Sequence, residues 1–151
     1  FVARIITAML FALVIILSLF FLGALFGQVV MFRSQWISTL IIVLFGTLPF
    51  CAIGLYIGLS VSAKAAPAVV NLIYLPMAFL SGLWVPIQLF PSGLELAANI
   101  FPAYHLAQLA LAIQGNGLGA PWYLHAGILA AYTVVFLGLS IKQFKAIDNR
   151  Y

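Results

Sequence analysis

The sequence predicts an all-α integral membrane protein with four transmembrane helices and an extracytoplasmic re-entrant helical hairpin before the last span. Three observations lead there. The 151 residues are 66% hydrophobic and 5% charged, with mean hydropathy +1.26, where ordinary soluble domains are about 45–50% apolar and about 25% charged. A soluble chain of this size leaves too much surface exposed to hide so many apolar side chains. The apolar residues fall in long uncharged blocks, without the alternation of a half-buried helix or strand. Finally, a proline cuts one block into pieces too short to cross a bilayer.

The spans follow in order. Ile5–Gly27 is uncharged over 23 residues and would reach roughly 34 Å as a helix, enough for a hydrocarbon core of about 30 Å. It is longer than the apolar part of a signal peptide, about 7–15 residues. Trp36–Ala63 carries Pro49 near its middle. Pro67–Phe90 follows Lys64, with Pro67 suited to a first turn and Pro76 placed to kink the helix. Trp122–Ile141 opens on the interfacial pair Trp122-Tyr123 and ends at Lys142. Residues 1–151 read as a single transmembrane unit. The chain begins at Phe1, four residues before a hydrophobic run, which reads as a piece of a longer protein lacking its N-terminal part.

Residues 95–121 are apolar enough to suggest a fifth span, and charge counting decides against it. With four spans, Arg4, Lys64, Lys142, Lys145 and Arg150 share one face and only Arg33 lies opposite. With five the split is two against four, so the positive-inside rule favours four, with both chain ends in the cytoplasm. Pro102 divides the segment into two short pieces. Residues of about 92–114 are therefore expected to dip into the outer leaflet and return, shielded by protein because unpaired amides in hydrocarbon cost several kcal/mol, on the order of a lost hydrogen bond or more.

The exit of the third span, "FLSGLWVPIQLFP", fits that turn. Gly82 and Pro86 loosen the helix end beside Ser81, Trp84 holds the interface, and Pro91 starts the returning element. A frayed helix end is the plainer alternative. Gly23/Gly27 and Gly54/Gly58 are small-xxx-small pairs that would let backbones approach, within the bundle or across a dimer, unless they recur by chance. Ala78 and Gly82 add a third such pair.

Polar residues are few. The hydrocarbon interior of the spans is expected to hold no ionisable residue, which argues against an ion-coupled carrier. Asn71, about a turn into the third span, suits an interhelical hydrogen bond or a contact with cargo. Thr39, Thr47, Ser60 and Ser81 can bond their own helix backbones. Glu95, His105 and His125 are assigned to the outer side, spread over 30 residues, too few for a metal site and without the nucleophile of a catalytic triad. Cys51 lies in an apolar run, so there is no disulfide framework. "GNGLGAP" follows no strand and lacks the Lys-Ser/Thr of a nucleotide loop. The net charge of +4 comes from basic residues scattered singly, which makes no nucleic-acid patch.

Asn71 to Ala112 resembles the C-terminal half of type-2 ABC transporter permeases. The carrying pattern is Leu80-Ser81-Gly82-Leu83-Trp84-Val85-Pro86, then Pro91, then Pro102 opening a short helix. The resemblance implies the third to sixth helices of a six-helix permease in the bacterial plasma (inner) membrane. It implies two partners, a second permease copy and cytoplasmic ABC ATPase subunits. It implies no enzyme activity and no cofactor in this chain, since ATP is bound by the partner subunit. The Ser62–Pro67 turn with Lys64 would be a minor ATPase contact, and the first two helices, with the main coupling helix, are missing. Ser81 to Ala112 would form an outer lid over the cavity between two halves. A non-transporting membrane scaffold is the rival reading.

Overall fold

The computed structural model describes residues 2–27, 29–82 and 84–148, and all regular structure among them is helical. Leu83 of the exit pattern and Arg150 of the charge count lie outside the described residues. Helix α1, Val2–Leu25, exposes nearly all its apolar side chains and buries Ile16 alone. Such a helix is stable only against lipid or protein, since in water the backbone alone does not hold it. Its hydroxyls bond its own turns, Thr7 Oγ1 to Ala3 O at 2.9 Å and Ser18 Oγ to Val14 O at 2.8 Å.

Helix α2, Arg33–Gly46, opens where Gln35 Oε1 accepts the Phe32 N–H at 2.8 Å, satisfying one orphan donor of the first turn. Helix α3, Leu48–Ser60, continues it after a break at Thr47. Pro49 in the first turn of α3 cannot donate back into α2, which interrupts the ladder. Thr47 Oγ1 caps the break by donating to Leu44 O at 2.6 Å. A turn at residues 62–65 leads to α4, Ala66–Leu80, with Pro67 in its first turn. Then come a 3-10 turn, Ile87–Leu89, and the short helices α5, Ser92–Ala98, and α6, Pro102–Ile113. Helix α7, Trp122–Asp148, closes the chain.

Helix α7 packs chiefly along α3, and α6 lies against α7, α2 and α4. The seam is built from Ala52, Ile53 and Ile57 of α3, Leu109 of α6 and Leu129 of α7, all buried. Tyr56 meets Phe136 edge-on across it, at 5.8 Å between ring centroids. Tyr74 ties α4 to α3 by donating to Phe50 O at 2.8 Å.

Three stretches are long and apolar enough to cross a membrane: Val2–Leu25, Arg33–Ser60 and Trp122–Asp148. The third hydrophobic run differs from the expected 67–90 helix. Helix α4 stops at Leu80 after 15 residues, about 22 Å at the usual rise, because glycine and proline follow it. Helices α5 and α6 together would pass the length test as a fourth span, but they meet at 90°.

For Gly54 and Gly58, expected to make a contact within the bundle or across a dimer, the structure excludes the first. A β-carbon on Gly54 or Gly58 would meet nothing within 4 Å, so those faces make no close helix contact within the described residues. The tight approach is at Gly46, under Leu106 of α6.

Candidate functional site: the proline-broken hairpin

The segment after α4 builds a small folded unit. Ser81 is 1% exposed, and its Oγ donates to Ala78 O at 2.6 Å, closing the last turn of α4. Gly82 then takes φ +82°, the left-handed conformation that glycine enters without penalty and that ends helices. Pro86 precedes the 3-10 turn, and Ile87 inserts into a cluster with Ala98 and Tyr104, flanked by Leu80 and Phe90. Phe90 stacks on Phe79 at 5.6 Å, folding the return back onto α4. Pro91 is extended, and its carbonyl accepts from Leu94 and Glu95 as α5 begins. Pro102, buried, occupies the first position of α6, where its missing N–H costs nothing.

The corner between α5 and α6 is clasped by α7. Its two consecutive carbonyls, Asn99 O and Ile100 O, are orphaned by the bend. His105 Nε2 lies 2.8 Å from Asn99 O, and the Tyr132 hydroxyl donates to Ile100 O. His105 Nδ1 lies 2.8 Å from His125 Nδ1. The far end of α6 is held by α2, whose Gln35 Nε2 donates to Ile113 O at 3.4 Å. The loop after α6 is pinned where Gln108 Oε1 accepts the Leu118 N–H at 3.2 Å. Irregular backbone shielded from water needs such partners, and the carbonyls of this corner have them.

The residues singled out in the sequence are distributed unevenly around this unit. Ser81, Gly82, Pro86, Pro91 and Pro102 mark its joints, and Trp84 projects outward at 69% exposure. Asn71 sits on an exposed face of α4, away from any hydrogen-bond partner among the described residues. Lys64 is exposed in the 62–65 turn. The reading of His105 and His125 as scattered residues is corrected: they form one buried contact. Their separation of twenty residues gives no helical or strand register that would have revealed it. No group of three metal-ligating side chains exists among the described residues.

A cleft of about 260 Å³ in the unit itself is lined by Gly82, Pro86, Ile87, Gln108 and Asn116, and two others lie among the long helices. One, about 370 Å³, lies between α2–α3 and α6–α7 and is lined by Ile41, Phe45, Pro49, Leu109 and Leu129. Its one hydroxyl, on Thr133, is already bonded to Leu129 O. It suits an uncharged apolar molecule or a lipid chain. The other, about 240 Å³, brings Arg4 of α1, Gly58 and Leu59 of α3 and Phe144 of α7 to one end of the bundle.

Residues 1–142 match the profile of the ABC-2 family transporter protein family. The chain belongs to that family. The protein named "Putative transport permease YvfS", from Bacillus subtilis (strain 168), is 30% identical over 122 residues, covering 81% of this chain and 49% of that protein. The chain thus spans about half the length of this curated relative. No solved structure matches it. The ABC-2 membership agrees with the family read from Asn71–Ala112 and places the hairpin in a multi-pass membrane protein of transport type.

Proposed function

We propose that this chain is part of the permease subunit of an ATP-driven exporter, lining the substrate pathway with a second permease copy. Separate cytoplasmic ABC ATPase subunits power it, and ATP binds there. In this reading Val2–Leu25, Arg33–Ser60, α4 with the segment after it, and α7 are four spans. The pair α5–α6 re-enters from outside without crossing, and both ends of the chain face the cytoplasm of a bacterial inner membrane. The observation that carries it is the 90° bend between α5 and α6, whose corner carbonyls are held by His105 of α6 itself and by Tyr132 of α7. A segment so bent reaches only part-way across a core of about 30 Å. The shared cleft of Arg4 and Phe144 supports a common basic end, with Lys142 and Lys145 on the same terminal turns of α7.

The hairpin acts as a gate, because a proline-jointed unit can move as one body while long helices stay intact, as alternating access requires. Lys64 in the 62–65 turn meets the ATPase. Asn71, exposed on α4, meets the second copy or cargo, since an amide facing hydrocarbon alone is costly. Purified full-length permease with its ATPase should raise ATP turnover when lipophilic compounds are added, whereas a scaffold would not respond. In the full-length protein, Gly82→Leu, or Pro86→Ala with Pro102→Ala, should leave membrane levels normal and lower export from inverted vesicles. Unchanged export by both variants would sink the gate.

A further inference from the structure

His105 and His125 are 2% and 3% exposed, and each lies in a helix that the hairpin must move against or with. A main-chain carbonyl only accepts hydrogen bonds, so at 2.8 Å from Asn99 O the Nε2 of His105 carries its hydrogen. The neutral His105 ring then offers a lone pair at Nδ1. The 2.8 Å contact between the two Nδ1 atoms requires His125 to carry its hydrogen on Nδ1 and donate. One backbone oxygen thus fixes the tautomers of both rings.

Counting protons shows what acid does. The neutral pair holds two ring hydrogens, one on each imidazole. A first added proton goes to Nε2 of His125, and both bonds survive. A second has only Nδ1 of His105 left, where two N–H groups would face each other across the 2.8 Å contact. The two cations would also sit with ring centroids 5.1 Å apart. We propose that the His105–His125 contact is an acid-sensitive latch, which takes up one proton while closed and a second only by releasing the α5–α6 corner from α7.

The surroundings leave the pair to set this response. On α6 the other titratable group is Tyr104, edge-on to both rings at 5.2 and 6.0 Å. Helix α5 brings Glu95, which acts electrostatically on Tyr104. Helix α7 adds Tyr123 before the pair and Tyr132 two turns after it, already bonded to Ile100 O. Helix α4 contributes Tyr74, committed to Phe50 O. Arg33 of α2 is near the opposite end of α6, where Gln35 reaches Ile113. Residues 114–121, which join α6 to α7, contain no titratable side chain. Ionisation of imidazole between neutral and mildly acid pH is a common basis of protein switches.

The test uses the full-length permease in detergent, where both faces meet one pH, so the outcome is independent of sidedness and of transport. Ala107 of α6 is 3% exposed. In a full-length background with Cys51→Ala and any other cysteine replaced, Ala107→Cys is labelled by a small thiol reagent, and its rate is divided by that of Asn116→Cys at the same pH. The ratio should stay flat near neutrality and rise at least about tenfold between about pH 7.5 and about pH 4.5, the range that brackets an ordinary imidazole. Adding His105→Gln should abolish the rise while keeping the low neutral ratio, because the amide retains one donor and one acceptor but takes up no proton. A flat ratio without His105→Gln would overturn the latch. So would an unchanged acid rise in the His105→Gln protein, or a high ratio in that protein at neutral pH.

Discussion

Gly46 of α2 lies so closely under Leu106 of α6 that a β-carbon on Gly46 would sit 2.2 Å from Leu106 Cδ1. The same β-carbon would be 3.1 Å from Cδ2 and 3.2 Å from Cγ, so rotating one methyl does not make room. Overpacking of this kind typically costs about 1–3 kcal/mol. Gly46→Val should therefore lower the thermal midpoint of the full-length protein in detergent. Leu106→Ala should recover part of that loss in the double variant, with a coupling of about 0.5–3 kcal/mol. Additive losses would show that α6 does not rest on Gly46.

At Gly82 the cost has a different origin. A β-carbon there would stand 3.4 Å from Ile87 Cβ, an ordinary contact, but φ is +82°. The left-handed conformation costs a residue with a β-carbon roughly 1–2 kcal/mol, and asparagine pays least. Stability should fall in the order Gly82, Gly82→Asn, Gly82→Ala, Gly82→Val, read from thermal midpoints. An indifferent series would mean that the helix end does not need the turn.

Much of this molecule was legible in its sequence, for physical reasons that also explain the failures. Long uncharged runs announce helices, because only helices and closed barrels satisfy their backbone in hydrocarbon. Ser81-Gly82 and Pro102 announced joints, because glycine and proline act on the chain locally. The run 67–90 outlasts its helix, because hydropathy records solvent preference and is blind to the helix ending at Leu80. The spacing of Gly54 and Gly58 suggested contact, yet spacing does not reveal which face a neighbour covers. The tight site, Gly46, has no partner glycine four residues away. The histidine contact was hidden because it depends on the α5–α6 bend bringing Asn99, His105 and His125 together, a tertiary event.

Two tyrosines bond carbonyls in different circumstances, and their removal should differ accordingly. Tyr74 donates to Phe50 O inside α3, where the helix ladder also supplies a donor. Tyr132 donates to Ile100 O at the α5–α6 corner, where the ladder is broken. The Ile100 bond is the more exposed of the two, so its loss matters where lipid or protein keeps water from the corner; there an unsatisfied carbonyl costs about 1–3 kcal/mol. Tyr132→Phe should thus destabilise the full-length protein more than Tyr74→Phe in thermal unfolding. Equal effects would mean that the corner carbonyl finds another donor.

The side on which the hairpin lies can be read chemically. If α5–α6 returns to the face it left, residue 116 after α6 and residue 146 near the end of α7 lie on opposite sides of the membrane. If the pair crosses, the chain gains a span and both positions shift relative to α1. Asn116 and Ala146 are exposed, and Cys51 is the one cysteine among these 151 residues; any cysteine elsewhere in the full-length protein is replaced with it. In a Cys51→Ala background, an impermeant thiol reagent added to intact cells should modify Asn116→Cys and leave Ala146→Cys unlabelled until the cells are opened. With residue 116 outside and α5–α6 returning to the face it left, five of the six basic residues, Arg4, Lys64, Lys142, Lys145 and Arg150, share the cytosol, the distribution that orients membrane proteins. Labelling of Ala146→Cys but not Asn116→Cys in intact cells would invert the arrangement and remove the gate from the outer face.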